Sequence, residues 1–365
     1  MLTYVILFLV GSGLGFLACE FADRWGCSKR YRSPLPKKVF IVCISGIAAA
    51  WLFWWEGMLL PPGMQDIHHG FALNRYIIHL TLFVFLLAAT LTDFYEMIIP
   101  DSITVTGTCV ALLAAFMLPL GGLPEAWQFN EDFNSSFATP IHIWSPNLPD
   151  FLPSIESVLF TKTLLWWFWC FAMLDRVWYT KLPFRKAAAI FCRYLYRSPR
   201  TKYIVAAALT VPFIFVFVSI SPVATAPLLS ALVGMATGML LVWGIRLVAQ
   251  YVLGIEAMGF GDVTLMGMIG AFLGWQAVLL IFFIAPFFGL LYGIVNVALG
   301  KGRAVPYGPF LCLATVVVVI AWSPIWAATA EYFAFGIEII GIALLGLLVL
   351  FGGLLHVVHK VMSKR

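Results

Sequence analysis

Ionised side chains are scarce in this sequence. Lys and Arg number 22, Asp and Glu 17, so 11% of 365 residues are charged, where a soluble domain carries about 25%. That scarcity excludes a water-soluble enzyme. No two cysteines are spaced CxxC, and the seven, at 19, 27, 43, 109, 170, 192 and 312, mostly lie in apolar runs. A disulfide framework and a thiolate zinc site are therefore not legible, and the cysteines read as packing residues. The opening run has no basic n-region, so it does not read as a cleaved signal. No internal repeat is visible either.

Apolar sequence fills the space left by charge. Hydrophobic residues make up 62% of the chain, the mean hydropathy is +0.97, and runs of roughly 20 residues, enough to cross a hydrocarbon core, recur throughout. The fold class is all-α, a polytopic membrane protein with spans expected near 2–22, 38–55, 76–93, 102–120, 158–178, 203–221, 226–249, 263–273, 276–298, 307–326 and 333–356. The stretch 263–298 would be about 54 Å long as one helix, too long for one crossing, so a break is expected at Gly274-Trp275. That gives eleven crossings, or ten if the short arm is re-entrant. The regions that follow are 1–75, 76–120, 121–225, 226–326 and 327–365.

Basic residues set the orientation. They gather in 23–38 (Arg24, Lys29, Arg30, Arg32, Lys37, Lys38), in 175–202, at Lys301 and Arg303, and in the tail at Lys360, Lys364 and Arg365. All fall on one side under eleven spans, which is expected to be the cytoplasm. Loops 56–75 and 121–157 hold Glu56, Asp66, Glu125, Glu131, Asp132, Asp150 and Glu156, with only Arg75 and Lys162 breaking the asymmetry. The net charge of +5 is thus a topology signal, and no nucleic-acid partner is expected. Loop 175–202 reads as an anchor against anionic lipid, with docking of another assembly component the sharper alternative. Tryptophans at 51–55 and 166–169 suit an interfacial belt. His68 and His69 beside Asp66 could hold a metal but read better as a solvated turn. No metal or cofactor is expected.

Against this background two acids are conspicuous. Asp262 stands in "EAMGFGDVTLMGMIGAFLG" (256–274), and Asp93 ends the third span in "LTDFYEMIIPDSIT" (91–104). A carboxylate inside a membrane helix costs about 2.5–3.5 kcal/mol, so it marks function by default. Both acids fall at the same depth and side. Two carboxylates brought within a few ångströms cannot both ionise easily and share a proton. The ionised member can then activate water while the protonated one serves a carbonyl oxygen, which is aspartyl peptide hydrolysis. Gly259 and Gly261 are expected to let the backbone leave helical geometry and admit an extended substrate. Pro100 suits a tight re-entry into helix, and Asp101 or Ser102 can cap it.

These residues resemble the prepilin (type IV leader) peptidases, membrane aspartyl proteases of the GxGD type. "GFGD" (259–262) is similar to their second catalytic motif and "TDFYEMIIPD" (92–101) to the first. The longer run "VWGIRLVAQYVLGIEAMGFGDVTLMGMIGAFLGWQAVLL" and "AVPYGPFL" (304–311) extend the likeness over roughly 76–120 and 226–326. The resemblance implies a GxGD aspartyl protease core with Asp93 and Asp262 as the catalytic pair and Gly259, Gly261, Pro100 and Asp101 in the active-site loops. It implies prepilin or pseudopilin-like precursors as protein partners, cut at the cytoplasmic face of a prokaryotic inner membrane, with membrane lipid as the other partner.

Two departures stand out. Many bacterial relatives carry a zinc-binding domain with two CxxC pairs after the first span, associated with N-methylation. Loop 23–38 here offers only Cys27, so methyltransferase activity is expected to be absent. The second is an insertion: four spans instead of two separate the aspartates, which preserves parity and leaves both on one side. Gly11 and Gly15 read as a small-residue packing face. The alternative to a protease is a non-catalytic transporter or assembly factor retaining the scaffold, although a transporter would place its acids at the midplane.

Overall fold

A computed structural model describes residues 2–25, 35–58, 69–129, 136–141, 143, 145, 155–174, 183–219, 222–254, 258–300 and 306–362. Cys27, Asp66, His68, Glu256, Lys301, Arg303, Lys364, Arg365 and most of the loops holding them lie outside these residues. By length and apolarity, seven described helices can cross a membrane, or eight when one bent pair is counted as a span. The chain is a multi-pass helical membrane protein. The count of ten to eleven is not reached on that criterion, partly because one 39-residue helix is taken once.

The first helices, α1 (Leu2–Trp25) and α2 (Leu35–Met58), form an antiparallel pair. At Gly11 a Cβ would collide with Ala49, and at Gly15 it would lie 2.5 Å from Ser45 Oγ, so this face is the small-residue contact expected from the sequence. At one end Lys38 Nζ lies 2.6 Å from Asp23 and 2.8 Å from Glu20. Near the other, Glu56 pairs with Arg75 and accepts from His79 Nδ1 at 2.6 Å, both on α3 (His69–Glu96). All three side chains are at most 2% exposed. Charges assigned from sequence to an outer loop are therefore buried between helices, where mutual pairing offsets their desolvation. Lys162 is buried too, its Nζ 3.4 Å from Ser219 Oγ.

The middle of the chain runs through α4 (Asp101–Met117), a hairpin of β1 (Pro124–Phe129) and β2 (Ser136–Pro140), α5 (Ile155–Met173), α6 (Phe184–Arg197) and α7 (Pro199–Val218). The hairpin is a short addition to a fold that is all-α elsewhere among the described residues. Outside the hydrocarbon a connection can pair its own backbone groups, and two core tryptophans hold it down: Trp322 Nε1 donates to the Pro124 carbonyl at 2.7 Å and Trp275 Nε1 to that of Ile143 at 3.0 Å. The tryptophans at 166–169 are also corrected, since Trp166 and Trp169 are buried. Pro212 deprives the Ala208 carbonyl of its helical donor, and Trp167 Nε1 supplies one at 2.9 Å.

The core is α8 (Pro222–Leu253) against α9 (Phe260–Ala298). A Cβ at Gly234 or at Gly270 would overlap the other residue's carbonyl oxygen, so the two backbones touch directly. Helix α9 breaks at Gly274, where φ is 83° and ψ 173°, conformations closed to residues with a Cβ. A Cβ on Gly270 would be only 3.0 Å from Val278 Cγ2, eight residues on, a separation of about 12 Å in a straight helix. The hairpin expected there is present. The span expected at 307–326 is not straight. It divides into α10 (Gly308–Ile320) and α11 (Trp322–Phe333), bent by 92°. Pro324 has no N–H, and its ring clashes with the carbonyl four residues back at Ile320. The last helix is α12 (Gly336–Met362).

Candidate active site

Three helix ends converge where the candidate carboxylates lie. Asp93 is in the last turn of α3, and Met97, at φ 53°, closes that helix by donating its N–H to the Asp93 carbonyl at 2.9 Å. The chain then turns through Ile99 and Pro100 into α4. Asp262 occupies the first turn of α9, and α10 begins beside both at Tyr307-Gly308. Ile99 is the common neighbour. A Cβ on Gly261 would be 2.9 Å from Ile99 Cβ, and one on Gly308 would be 2.7 Å from Ile99 Cδ1 and 2.5 Å from Asp93 Oδ2.

The two carboxylates are within electrostatic reach of each other, and their residues are 5% and 8% exposed. Each faces the positive end of a helix. The Gly259 N–H points at Asp262 at the start of its own helix, and the Gly308 N–H points at Asp93 from the start of α10. The unfavourable dipole of α3 at its own C-terminal acid is thereby countered. Asp93 Oδ2 is buried without a hydrogen-bond partner among the described residues. Leaving such an acceptor unmet costs about 1–3 kcal/mol.

The sequence-derived candidates separate into two groups. Asp93, Asp262, Gly261 and Pro100 come together. Gly259 adjoins them, but its φ of −66° and ψ of 152° are open to any residue, so its expected conformational role is not supported. Gly261 is needed for close approach to Ile99, not for backbone freedom. Asp101 points away. Neither it nor Ser102 caps α4, whose N-cap is Pro100, and Asp101 instead pairs with Arg200 of α7 at 2.6 Å. That pair puts the start of the inserted α7 at the same end of the bundle as the dyad, as parity required.

Two contributors were not anticipated. The Arg246 guanidinium lies 5.8 Å above the Phe260 ring and within electrostatic reach of Asp262. It is the sole ionised residue between Lys202 and Glu256, so the argument that singled out Asp262 applied to it equally. Tyr307 is the other. Burial, with the Asp262 charge second, pushes its phenol up to about 12, so it remains a neutral O–H beside the dyad. Among the described residues no cluster of His, Cys, Asp and Glu could hold a metal.

A multi-pass helical membrane protein with paired carboxylates at one end is a narrow class. Residues 200–294 match the model of the type IV leader peptidase family. The match includes Asp262 but not Asp93. Over 91 residues the chain is 33% identical to the prepilin leader peptidase/N-methyltransferase of Aeromonas salmonicida, covering 24% of this chain and 31% of that protein. The protein of the same description from Pseudomonas putida is 31% identical over 112 residues, 30% of this chain and 39% of the other. That from Pseudomonas aeruginosa is 34% identical over 87 residues, 23% and 30% respectively. The chain thus spans about a third of the length of the curated relatives it matches. No solved structure matches it.

Proposed function

We propose that this chain is a membrane aspartyl endopeptidase that removes leader peptides from type IV prepilin or pseudopilin-like precursors, at the cytoplasmic face of a prokaryotic inner membrane. One observation carries the reading: Asp93 and Asp262, 169 positions apart in the sequence, meet at one buried site around Ile99 and Gly308. The relatives' printed activity and the matched segment support it. In the proposed reaction one carboxylate takes a proton from water as its oxygen attacks the scissile carbonyl carbon. The protonated partner gives its proton to the carbonyl oxygen. The tetrahedral diol then collapses, the C–N bond breaks, the amine nitrogen takes a proton, and the pair again holds one. Substrate would lie where backbone is least obstructed, beside Gly259, whose added Cβ would meet nothing nearer than 3.6 Å.

The relatives are also described as N-methyltransferases. We infer that this chain lacks that second activity, because loop 23–38, with Cys27 alone, cannot supply the about four ligands of a structural zinc site. One experiment tests both parts. Purified enzyme is reconstituted with a precursor whose short basic leader ends in Gly before a hydrophobic helix, and the product is weighed by mass spectrometry. Wild type should release the leader and leave an unmethylated terminus with a methyl donor present. Asp93→Asn and Asp262→Asn should each abolish release, and the double variant should be no worse, because the pair acts as one unit. Near-normal processing by either single variant would sink the dyad. A product one methyl heavier would overturn only the second part.

A further inference from the structure

We propose that α6 lies flat in the membrane–water interface at the end of the bundle that holds the carboxylate pair, and that it binds anionic lipid headgroups. Its 14 residues make about 21 Å of helix, too short for a hydrocarbon core of about 30 Å. At 100° per residue, Phe184, Ala187, Ala188, Phe191 and Leu195 fall on one face, Lys186, Arg193 and Arg197 on the opposite one, and Arg185 at its edge. These four basic residues are exposed, and among the described residues none is in an ion pair. Arg200 and Lys202 continue the patch into α7, which follows α6 after Ser198. No Asp or Glu occurs from 176 to 255.

Charge selects an anionic partner, and the apolar face decides which one. Nucleic acid offers nothing to an apolar face, whereas a bilayer surface takes a basic and an apolar face at once. A basic leader peptide would be repelled here, so the patch is not the place where the proposed substrate's leader binds. The Arg200–Asp101 pair fixes the patch beside Pro100 and Ile99, next to the dyad. The inference rests on charge and amphipathicity and stands whether or not the dyad hydrolyses peptides.

The test is hydrogen exchange of the amides of 184–197 in the full chain, reconstituted in phosphatidylcholine alone and in phosphatidylcholine with phosphatidylglycerol in equal parts. Exchange should be at least about fivefold slower with phosphatidylglycerol, roughly the effect of one basic side chain engaging an anionic surface. High salt should erase most of the difference. A variant with Arg185, Lys186, Arg193 and Arg197 all replaced by Gln should lose it, while the amides of α9 stay equally protected in both mixtures. Equal protection of α6 in the two lipid mixtures overturns the proposal without any mutation. So does a difference that survives the four substitutions.

Discussion

Gly308 supplies the sharpest steric test of the site. Ala is the better helix residue, and Gly308 does not have positive φ, so Gly308→Ala costs nothing in backbone conformation. The added Cβ would stand 2.5 Å from Asp93 Oδ2, where ordinary contact begins near 3.4 Å. The carboxyl must therefore retreat by the difference of 0.9 Å, while Ile99 Cδ1, 2.7 Å from the same Cβ, hinders relief in the other direction. Misplacing a reacting group by about 1 Å costs on the order of 100-fold in rate, or about 2.7 kcal/mol of barrier. The loss should fall on kcat, because substrate contacts away from the dyad are untouched. The assay is leader release by purified enzyme in nanodiscs at limiting and saturating precursor, with thermal unfolding as the check on folding. Gly293→Ala, with nothing within 4 Å of its Cβ, is the matched control. A folded Gly308→Ala enzyme within about threefold of wild type, less than 1 kcal/mol of barrier, would refute the placement of Asp93.

Cleavage should show a bell-shaped pH dependence whose two limbs belong to the pair. Tyr307, neutral until about 12, contributes neither limb, so Tyr307→Phe should leave both midpoints in place. The phenol's pKa is raised by folding, so its effect on stability is nil below the ordinary value of about 10 and turns unfavourable as pH climbs from there toward 12. A displaced alkaline limb in Tyr307→Phe would count against this assignment. Glu56→Ala strands Arg75 in the α2–α3 contact and should destabilise by about 3–5 kcal/mol, read as a lowered denaturation midpoint; an unchanged midpoint would show that the charges are not buried together. Met97→Gly relieves a left-handed residue and should stabilise by about 1 kcal/mol, with leader release retained.

Much of this was legible because membrane segments announce themselves by hydropathy, and because ionised groups in such segments are rare enough to be informative. Asp93 and Asp262 stood out for that reason, and a 36-residue apolar run could only be accommodated by a break, which the positive φ of Gly274 realises. What escaped notice depends on contacts between distant elements. Nothing near Asp101 indicates that Arg200, 99 positions away, takes its carboxylate and leaves the cap to Pro100. Glu56 and Arg75 looked like loop charges because each was read against its own span end, whereas their partners lie on the neighbouring helix. The hairpin of β1 and β2 was missed since its anchors, Trp275 and Trp322, sit on helices more than a hundred residues later.

The short first arm of α9 has a consequence for how the protein meets different membranes. From Phe260 to the break at Gly274 it is about 21 Å long, well under a typical hydrocarbon thickness. Yet residues 262–273 are buried throughout, so lipid tails do not reach them. The depth of Asp262 is fixed by backbone contact with Gly234 and Gly238 of α8, not by the length of surrounding acyl chains. Thicker or thinner bilayers act on α7 and α12, whose apolar surfaces face outward and can adjust by tilting. The level of the carboxylate pair is thus referenced to protein, and mismatch is absorbed at the perimeter.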